Sequence, residues 1–434
     1  MKVRETASEV KKAGTLLGSE SGERKNNFLA AVREALTGRS EEIFRANRAD
    51  LDEAEEASLA TPLLKRLKFD SDKLEEVLAG IDTLITLPEP SGRILEARKL
   101  DEGLELYRVS CPIGVIGMIF ESRPDALVQI ATLALKSGNG ILLKGGSEAS
   151  RTNRALSGII GEASVAAGAP EGWIALLESR EEVGELLALD DLVDLLIPRG
   201  SNEFVRYIMR NSSIPVLGHA DGVCHIYISA DADPEMAVTV ALDSKTQYMA
   251  VCNALETLLI DSGCAQTMVP AIFKAFSAQG IELRGCETSR RYAAMVPAAE
   301  SDWKAEYLGP VLAVKVVDGL FGAIDHINTY GSGHTDGIVT PDREKASLFM
   351  SRVDSADVFW NCSTRFSDGY RFGLGAEVGI STNKIHARGP VGLEGLMIYK
   401  WRMIGSGQIV ADYAEGRKSF LHTPISPEDR DALL

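Results

Sequence analysis

Cys252 stands in Val251-Cys252-Asn253-Ala254-Leu255-Glu256-Thr257-Leu258-Leu259, at the head of an apolar run and just after the polar stretch Asp243–Tyr248. A loop feeding a cleft there would present a thiolate able to attack an acyl carbon. A lone cysteine in a packed core would instead be inert filler. Gly222-Val-Cys224-His225-Ile-Tyr227 carries a second thiol beside an imidazole. His225 reads either as a satisfied core imidazole next to a core Cys224 or as half of a catalytic dyad. It is kept here among the substrate-binding candidates. No second Cys/His pair follows at ligand spacing, so no zinc site, and no metal, is expected. Further along, Gly331-Ser-Gly-His334-Thr335-Asp336, Asn361-Cys-Ser363-Thr364-Arg365-Phe366, Gly373-Leu-Gly375-Ala-Glu377 and His386-Ala-Arg388-Gly389-Pro390 gather Arg, His and hydroxyls among glycines. A solvated loop is the plain interpretation. An anion-binding wall using Arg365, His386 and Arg388 is the sharper one, because irregular segments this long are usually functional and Arg forks fit carboxylate and phosphate.

These residues need a scaffold. Residues 1–85 repeat apolar positions every three to four residues, through Phe28–Phe44 and Leu74–Leu87, and read as helices. Pro88, Pro90, Ser91 and Gly92 break that pattern. Arg93–Leu100 and Leu104–Ser110 then alternate around Asp101-Glu102-Gly103 as a hairpin. From 112 the rhythm is strand, turn, helix. Ile113–Phe120 leads to a helix capped by Asp125 and running to Lys136, then Ile141–Leu143, Gly145-Gly146 and a helix at Glu148–Ala167. Ile174–Leu176, Glu181–Leu189, Leu192–Ile197 and a helix from Asn202 to Arg210 follow. A second such series begins near His225–Ile228. It runs through Pro234–Ser244, Leu255–Ile260, Thr267–Ala278, Leu312–Val317 and Gly337–Val339. Strands alternating with helices imply doubly wound parallel sheets in an α/β protein. The glycines of Pro112–Gly117 and Gly145-Gly146 offer strand ends and helix N-termini that hold phosphates. They do not form G-x-G-x-x-G, so an ordinary Rossmann site is not supported.

The 434 residues call for two or three cores. With 62 acidic against 46 basic side chains and a net charge of −16, nucleic acid and anionic membranes are poor partners, and an anionic substrate must be held by local Arg, Lys, His or backbone N–H groups. Six cysteines without C-x-x-C spacing suit a reducing compartment. Neither a signal peptide nor a membrane span is legible.

Pro112–Ser150 resembles the cofactor-holding unit of the aldehyde dehydrogenase superfamily, and Glu306-Tyr-Leu-Gly309-Pro310-Val311-Leu312 resembles its later E-x-F-G-P-V-L segment. Phe120-Glu-Ser-Arg-Pro124, Ile197-Pro-Arg-Gly200, Cys224-His225-Ile-Tyr227, Cys252–Leu259, His334-Thr-Asp336, Ser363-Thr-Arg-Phe366 and His386-Ala-Arg-Gly-Pro390 resemble, more narrowly, the γ-glutamyl phosphate reductase family. Leu217–His225 is similar to the reductase half of bifunctional pyrroline-carboxylate synthases; the chain reads as the stand-alone reductase.

The resemblance implies an aldehyde-dehydrogenase-like fold. A cofactor-binding domain would span 1–91 and 112–224, a catalytic domain 225–395, an oligomerisation flap 92–111 and 396–414, and a polar tail 415–434. It implies NADPH-dependent reduction of L-glutamate 5-phosphate to the 5-semialdehyde, in proline biosynthesis in the cytoplasm, with NADH as an alternative cofactor because Ser147 stands where many relatives have Lys. Cys252 takes the nucleophile position, and Asn253 or Ser122 helps with the oxyanion. Lys144 meets the adenosine ribose, and Glu306 the nicotinamide ribose. Gly145 and Gly146 line the cofactor, and Pro198, Arg199, Gly200 and Ser201 face its pyrophosphate. Arg123 binds phosphate. The Glu that activates water in hydrolytic relatives is missing from Leu217-Gly-His-Ala-Asp-Gly222. A homodimer or dimer of dimers is implied, with a possible transient contact with glutamate 5-kinase.

Overall fold

The computed structural model describes residues 2–59, 61–121, 123–218, 221–374 and 377–426. Five helices open the chain: α1 (Lys2–Leu17), α2 (Gly22–Gly38), α3 (Ser40–Glu56), α4 (Thr61–Leu67) and α5 (Ser71–Thr86). α1 buries Val3, Ala7, Val10, Gly14 and Leu17, one stripe at helical spacing. Ser21 and Asp70 cap α2 and α5 by accepting from Arg24 and Lys73 N–H. The helical periodicity through Phe28–Phe44 crosses the boundary between α2 and α3. Gly38 weakens the run, and Arg39 leaves helical geometry while its N–H still bonds to Ala35 O.

The hairpin is β1 (Ile94–Asp101) and β2 (Leu104–Pro112). A four-stranded parallel sheet follows. It comprises β3 (Val115–Phe120), α6 (Pro124–Ser137), β4 (Gly140–Lys144), α7 (Ser150–Ala166), β5 (Ile174–Leu177), α8 (Arg180–Leu186), β6 (Leu195–Arg199) and α9 (Asn202–Asn211), with strand order β5-β4-β3-β6. All residues of β3 and β4 are buried, as strands covered by helices on both faces must be. Asp125 does not cap α6. Pro124 takes the first helical position, Arg123 the cap position, and Asp125 lies buried in the first turn.

The second sheet has seven strands in the order β10-β9-β11-β8-β7-β12-β13. In chain order it is β7 (Cys224–Ile228), α10 (Pro234–Thr246), β8 (Leu255–Asp261), α11 (Ala265–Ser277), β9 (Glu282–Gly285), β10 (Val296–Pro297), β11 (Val311–Val317), α12 (Gly319–Tyr330), β12 (Thr335–Val339), α13 (Arg343–Arg352) and β13 (Asp357–Trp360). Its pairs are parallel. The Arg- and Gly-rich stretch beyond it holds one small hairpin, β14 (Gly379–Ser381) with β15 (Gly389–Val391). β16 (Met397–Ile404) then pairs with β2, followed by α14 (Val410–Ala414). The segment expected to be a polar tail folds back. Its β17 (Thr423–Pro424) pairs with β1, because Phe420 stacks on Tyr413 and Ile425 packs against Ala97 and Tyr107.

Candidate active site

Strand order in the first sheet reverses between β3 and β6, and ligands of open parallel sheets bind at the carboxyl ends of strands beside such a switch. Two loops leave at that point. Glu121, after β3, donates its N–H to Arg199 O, and its carboxylate accepts the Ser201 N–H at 3.0 Å. Ser201 caps α9 by accepting from Phe204 N–H. Facing these loops are the amino ends of β7 and β8, which carry Cys224 and, three residues ahead of Leu255, Cys252.

The two cysteines touch through a side chain and a backbone carbonyl, and their thiols differ in access. Cys224 is fully buried; its Sγ donates to Cys252 O at 3.2 Å. Burial, helped by Asp336, pushes the Cys224 thiol well above the ordinary range. Cys252 is partly exposed. The Arg199 and Arg365 guanidiniums both interact electrostatically with its thiol, and Arg123 with Arg199. Arg199 also reaches Glu377 at 3.9 Å. Arg365 Nε donates to Gln247 Oε1 at 2.9 Å, and Arg371 donates to Arg365 O. The chain therefore gathers positive charge around one accessible sulfur despite its net charge of −16. Arg199, expected at a pyrophosphate, is also among the charges that act on the thiol. Gln247 and Arg371 were not singled out from sequence, because their spacing says nothing until the loops fold.

Glu306 comes to the same cleft from the second sheet. Its Oε2 accepts from Asn202 Nδ2 at 2.5 Å, in the first turn of α9, and that amide also meets Asp221 at 3.2 Å. Lys144 closes β4, with Gly145 and Gly146 after it. A Cβ at Gly145 would stand 2.1 Å from Asn153 Nδ2, so the backbone there must stay bare. Asn153 Oδ1 beside it is buried without a hydrogen-bond partner.

Some expected residues lie elsewhere. His225 is fully buried, its Nδ1 meets Asp336 Oδ1 at 2.8 Å and its Nε2 is buried without a hydrogen-bond partner, so the ring lies in the core with no surface open to a substrate. Asn253 is buried with Nδ2 donating to Ser367 O, and its own carbonyl accepts from Thr364. Its side chain holds the 364–367 segment against the nucleophile loop. Arg388 is held by Asp354 through the carbonyl at 2.9 Å and the carboxylate at 3.3 Å. His386 is exposed and folds back on Gly395 O at 2.7 Å. Ser122, His219, Gly375 and Ala376 lie outside the described residues. Among the described residues, no group of three or more His, Cys, Asp or Glu could hold a metal, and no helix is long and apolar enough to cross a membrane.

The model of the aldehyde dehydrogenase family matches residues 7–284 and 293–382. A γ-glutamyl phosphate reductase of Pelotomaculum thermopropionicum is 60% identical over 428 residues, 99% of each chain. The crystal structure of a γ-glutamyl phosphate reductase from Thermotoga maritima superposes with a TM-score of 0.92 at 39% identity, covering 94% of this chain and 100% of that one. The chain belongs to the aldehyde dehydrogenase family, in its γ-glutamyl phosphate reductase branch. An acetylating aldehyde dehydrogenase from Geobacillus thermoglucosidasius, 18% identical with a TM-score of 0.63 over 94% of this chain, shares the fold. The chain is thus an oxidoreductase, and membership of the family carries NAD(P) use with it. The residues fit such a cofactor: the buried Asn153 Oδ1 beside Gly145 is an acceptor without a partner at the end of β4, and Glu306 offers a carboxylate at the far side of the cleft.

Proposed function

We propose that this chain reduces L-glutamate 5-phosphate to L-glutamate 5-semialdehyde and phosphate through a thioester on Cys252, with NADPH, or NADH in its place, as reductant. The step belongs to proline biosynthesis in the cytoplasm. The observation that carries this reading is a partly exposed sulfur, Cys252, with which the Arg199 and Arg365 guanidiniums interact electrostatically.

A carboxylate resists hydride; an acyl phosphate does not. The Cys252 sulfur attacks the acyl carbon, a C–S bond forms, and the C–O bond to the phosphoryl group breaks with its electron pair leaving on phosphate. Arg199 and Arg365, with Arg123 behind them, hold that phosphate, since planar forks match its oxygens. The Cys252 N–H faces the oxyanion. A nicotinamide cofactor, when bound in the cleft, would supply the hydride that the thioester carbon accepts. The C–S bond then breaks, releasing the aldehyde and returning the sulfur to Cys252. Lys144 and Glu306 hold the cofactor's two riboses, while Gly146, Pro198, Gly200 and Ser201 line its path. No Glu stands in Leu217–Gly222 to activate water, which spares the thioester for reduction.

The working form is a homodimer, or a dimer of dimers, joined through the β1–β2–β16 sheet, and delivery of so labile a substrate favours a transient contact with glutamate 5-kinase. A coupled assay tests the central reading: glutamate, ATP, a glutamate kinase, this protein, and NADPH or NADH followed at the nicotinamide absorbance. Oxidation of the reduced cofactor is expected, and Cys252→Ala should lower it by at least about 10⁴-fold. Undiminished turnover in that variant would end the thioester reading.

A further inference from the structure

Lys245, in the last turn of α10, and Glu256, the second residue of β8, are fully buried and meet at 2.6 Å. The chemistry above uses neither charge. Ionised groups in a packed interior are costly even when paired, and desolvation pushes the Glu256 carboxyl up and the Lys245 ammonium down. The remaining bonds of the pair show what it holds. Glu256 Oε1 accepts the Leu308 N–H at 3.2 Å, and Leu308 has φ of 51°, a left-handed conformation that a leucine rarely adopts. The Lys245 ammonium lies 5.9 Å from the centre of the Tyr307 ring. Tyr307 is fixed at its other end, where its hydroxyl donates to Asp302 at 2.8 Å. Residues 307 and 308 are thus gripped from inside the second sheet. Glu306, directly before them, projects across the cleft to Asn202 of the first sheet.

We propose that Lys245 and Glu256 are positioning residues whose buried pair fixes the Glu306–Leu308 turn, and so sets the carboxylate that receives the nicotinamide end of the cofactor. The inference rests on the reductase reading above, in which Glu306 meets that end. The turn is thus anchored on β8, the strand that begins just after Cys252. The hydrogen bond to Leu308 is the working contact; the charge on Lys245 neutralises its acceptor.

Removing one partner would strand a buried charge and report only on folding, so the informative variants remove both. Lys245→Met with Glu256→Gln keeps an acceptor for Leu308 N–H. Lys245→Met with Glu256→Leu removes it. Dissociation constants for NADPH and NADH, KM and kcat, and the rate at which iodoacetamide alkylates Cys252 are measured for both and for the unmodified protein. The Gln variant is expected to stay within about threefold of the unmodified protein in cofactor affinity, and the Leu variant to lose about tenfold, as expected for one buried hydrogen bond. That loss should appear in the cofactor KM more than in kcat, with thiol alkylation unchanged in both. Equal affinities in the two variants, or parallel loss of cofactor binding and thiol reactivity in both, would overturn the positioning role while leaving the reductase reading intact. Failure of the unmodified protein to bind either nicotinamide would overturn both.

Discussion

Access separates Cys252 from Cys224 more than chemistry does. The two lie against each other, yet one is walled in and the other faces a cleft. His225 follows the same logic: a ring with no exposed surface and an aspartate on Nδ1 serves the fold. His326 packs edge-on against it at 5.6 Å, and Lys315 donates to its Nδ1 at 3.0 Å, which requires the neutral ring. Desolvation, then the His225 and Lys315 charges, lower His326 to about 3. Its ordinary value is 6.5, so between these two pH values the unfolded chain binds more protons than the folded one. Stability should therefore rise with pH through that window and level off above it, with His326 contributing on the order of a few kcal/mol. Urea midpoints measured across the window should show a flatter slope for His326→Phe; identical slopes would refute the assignment. Sequence alone offered the His225 ring two roles and kept it among the substrate-binding candidates, because burial is settled by strands 110 residues apart.

At the level of elements, the nucleophile loop is shaped by a contact no motif announces. A Cβ at Gly222 would stand 2.1 Å from Cys252 O and 2.6 Å from its Cα. Those are backbone atoms at the head of β8, so nothing can rotate aside. Gly222→Ala should displace the sulfur and lower kcat/KM by about 10²-fold, the size of effect that a misplacement of about 1 Å produces, with an unchanged far-ultraviolet circular dichroism spectrum. Full activity in that variant would mean the loop is not held there. Strands and helices of both sheets were legible from periodicity over 115–260. The short β9, β10 and β13 were not, although the equally short β5 was, because so few residues carry a pattern only where helical stretches frame them on both sides. The split at Arg39 was missed for a related reason: apolar spacing runs on across a local break.

For the whole molecule, the β1–β2–β16 sheet is where the proposed oligomer can be tested. β16 is an edge strand, with Trp401 50% and Met403 59% exposed on one face. Together with Leu106, Ile409 and Phe420 they border an apolar hollow of about 610 Å³. An open edge and a contiguous apolar face of this kind mark an interface. Trp401→Glu is expected to convert the oligomer to monomer by sedimentation velocity while the isolated chain keeps its fold. A monomeric unmodified protein would dispose of that expectation. The return of β17 to this sheet could not be foreseen from a polar segment whose few apolar residues find partners 300 residues upstream.

The sequence by itself determined the α/β class, the hairpin, the family and the thiol at 252, because periodicity and contiguous motifs are local quantities. The tertiary structure decided which arginines surround that thiol, that His225 is core, and that Lys245 and Glu256 share one buried bond. Charge and burial are properties of what arrives from elsewhere in the chain, and spacing along it does not encode them.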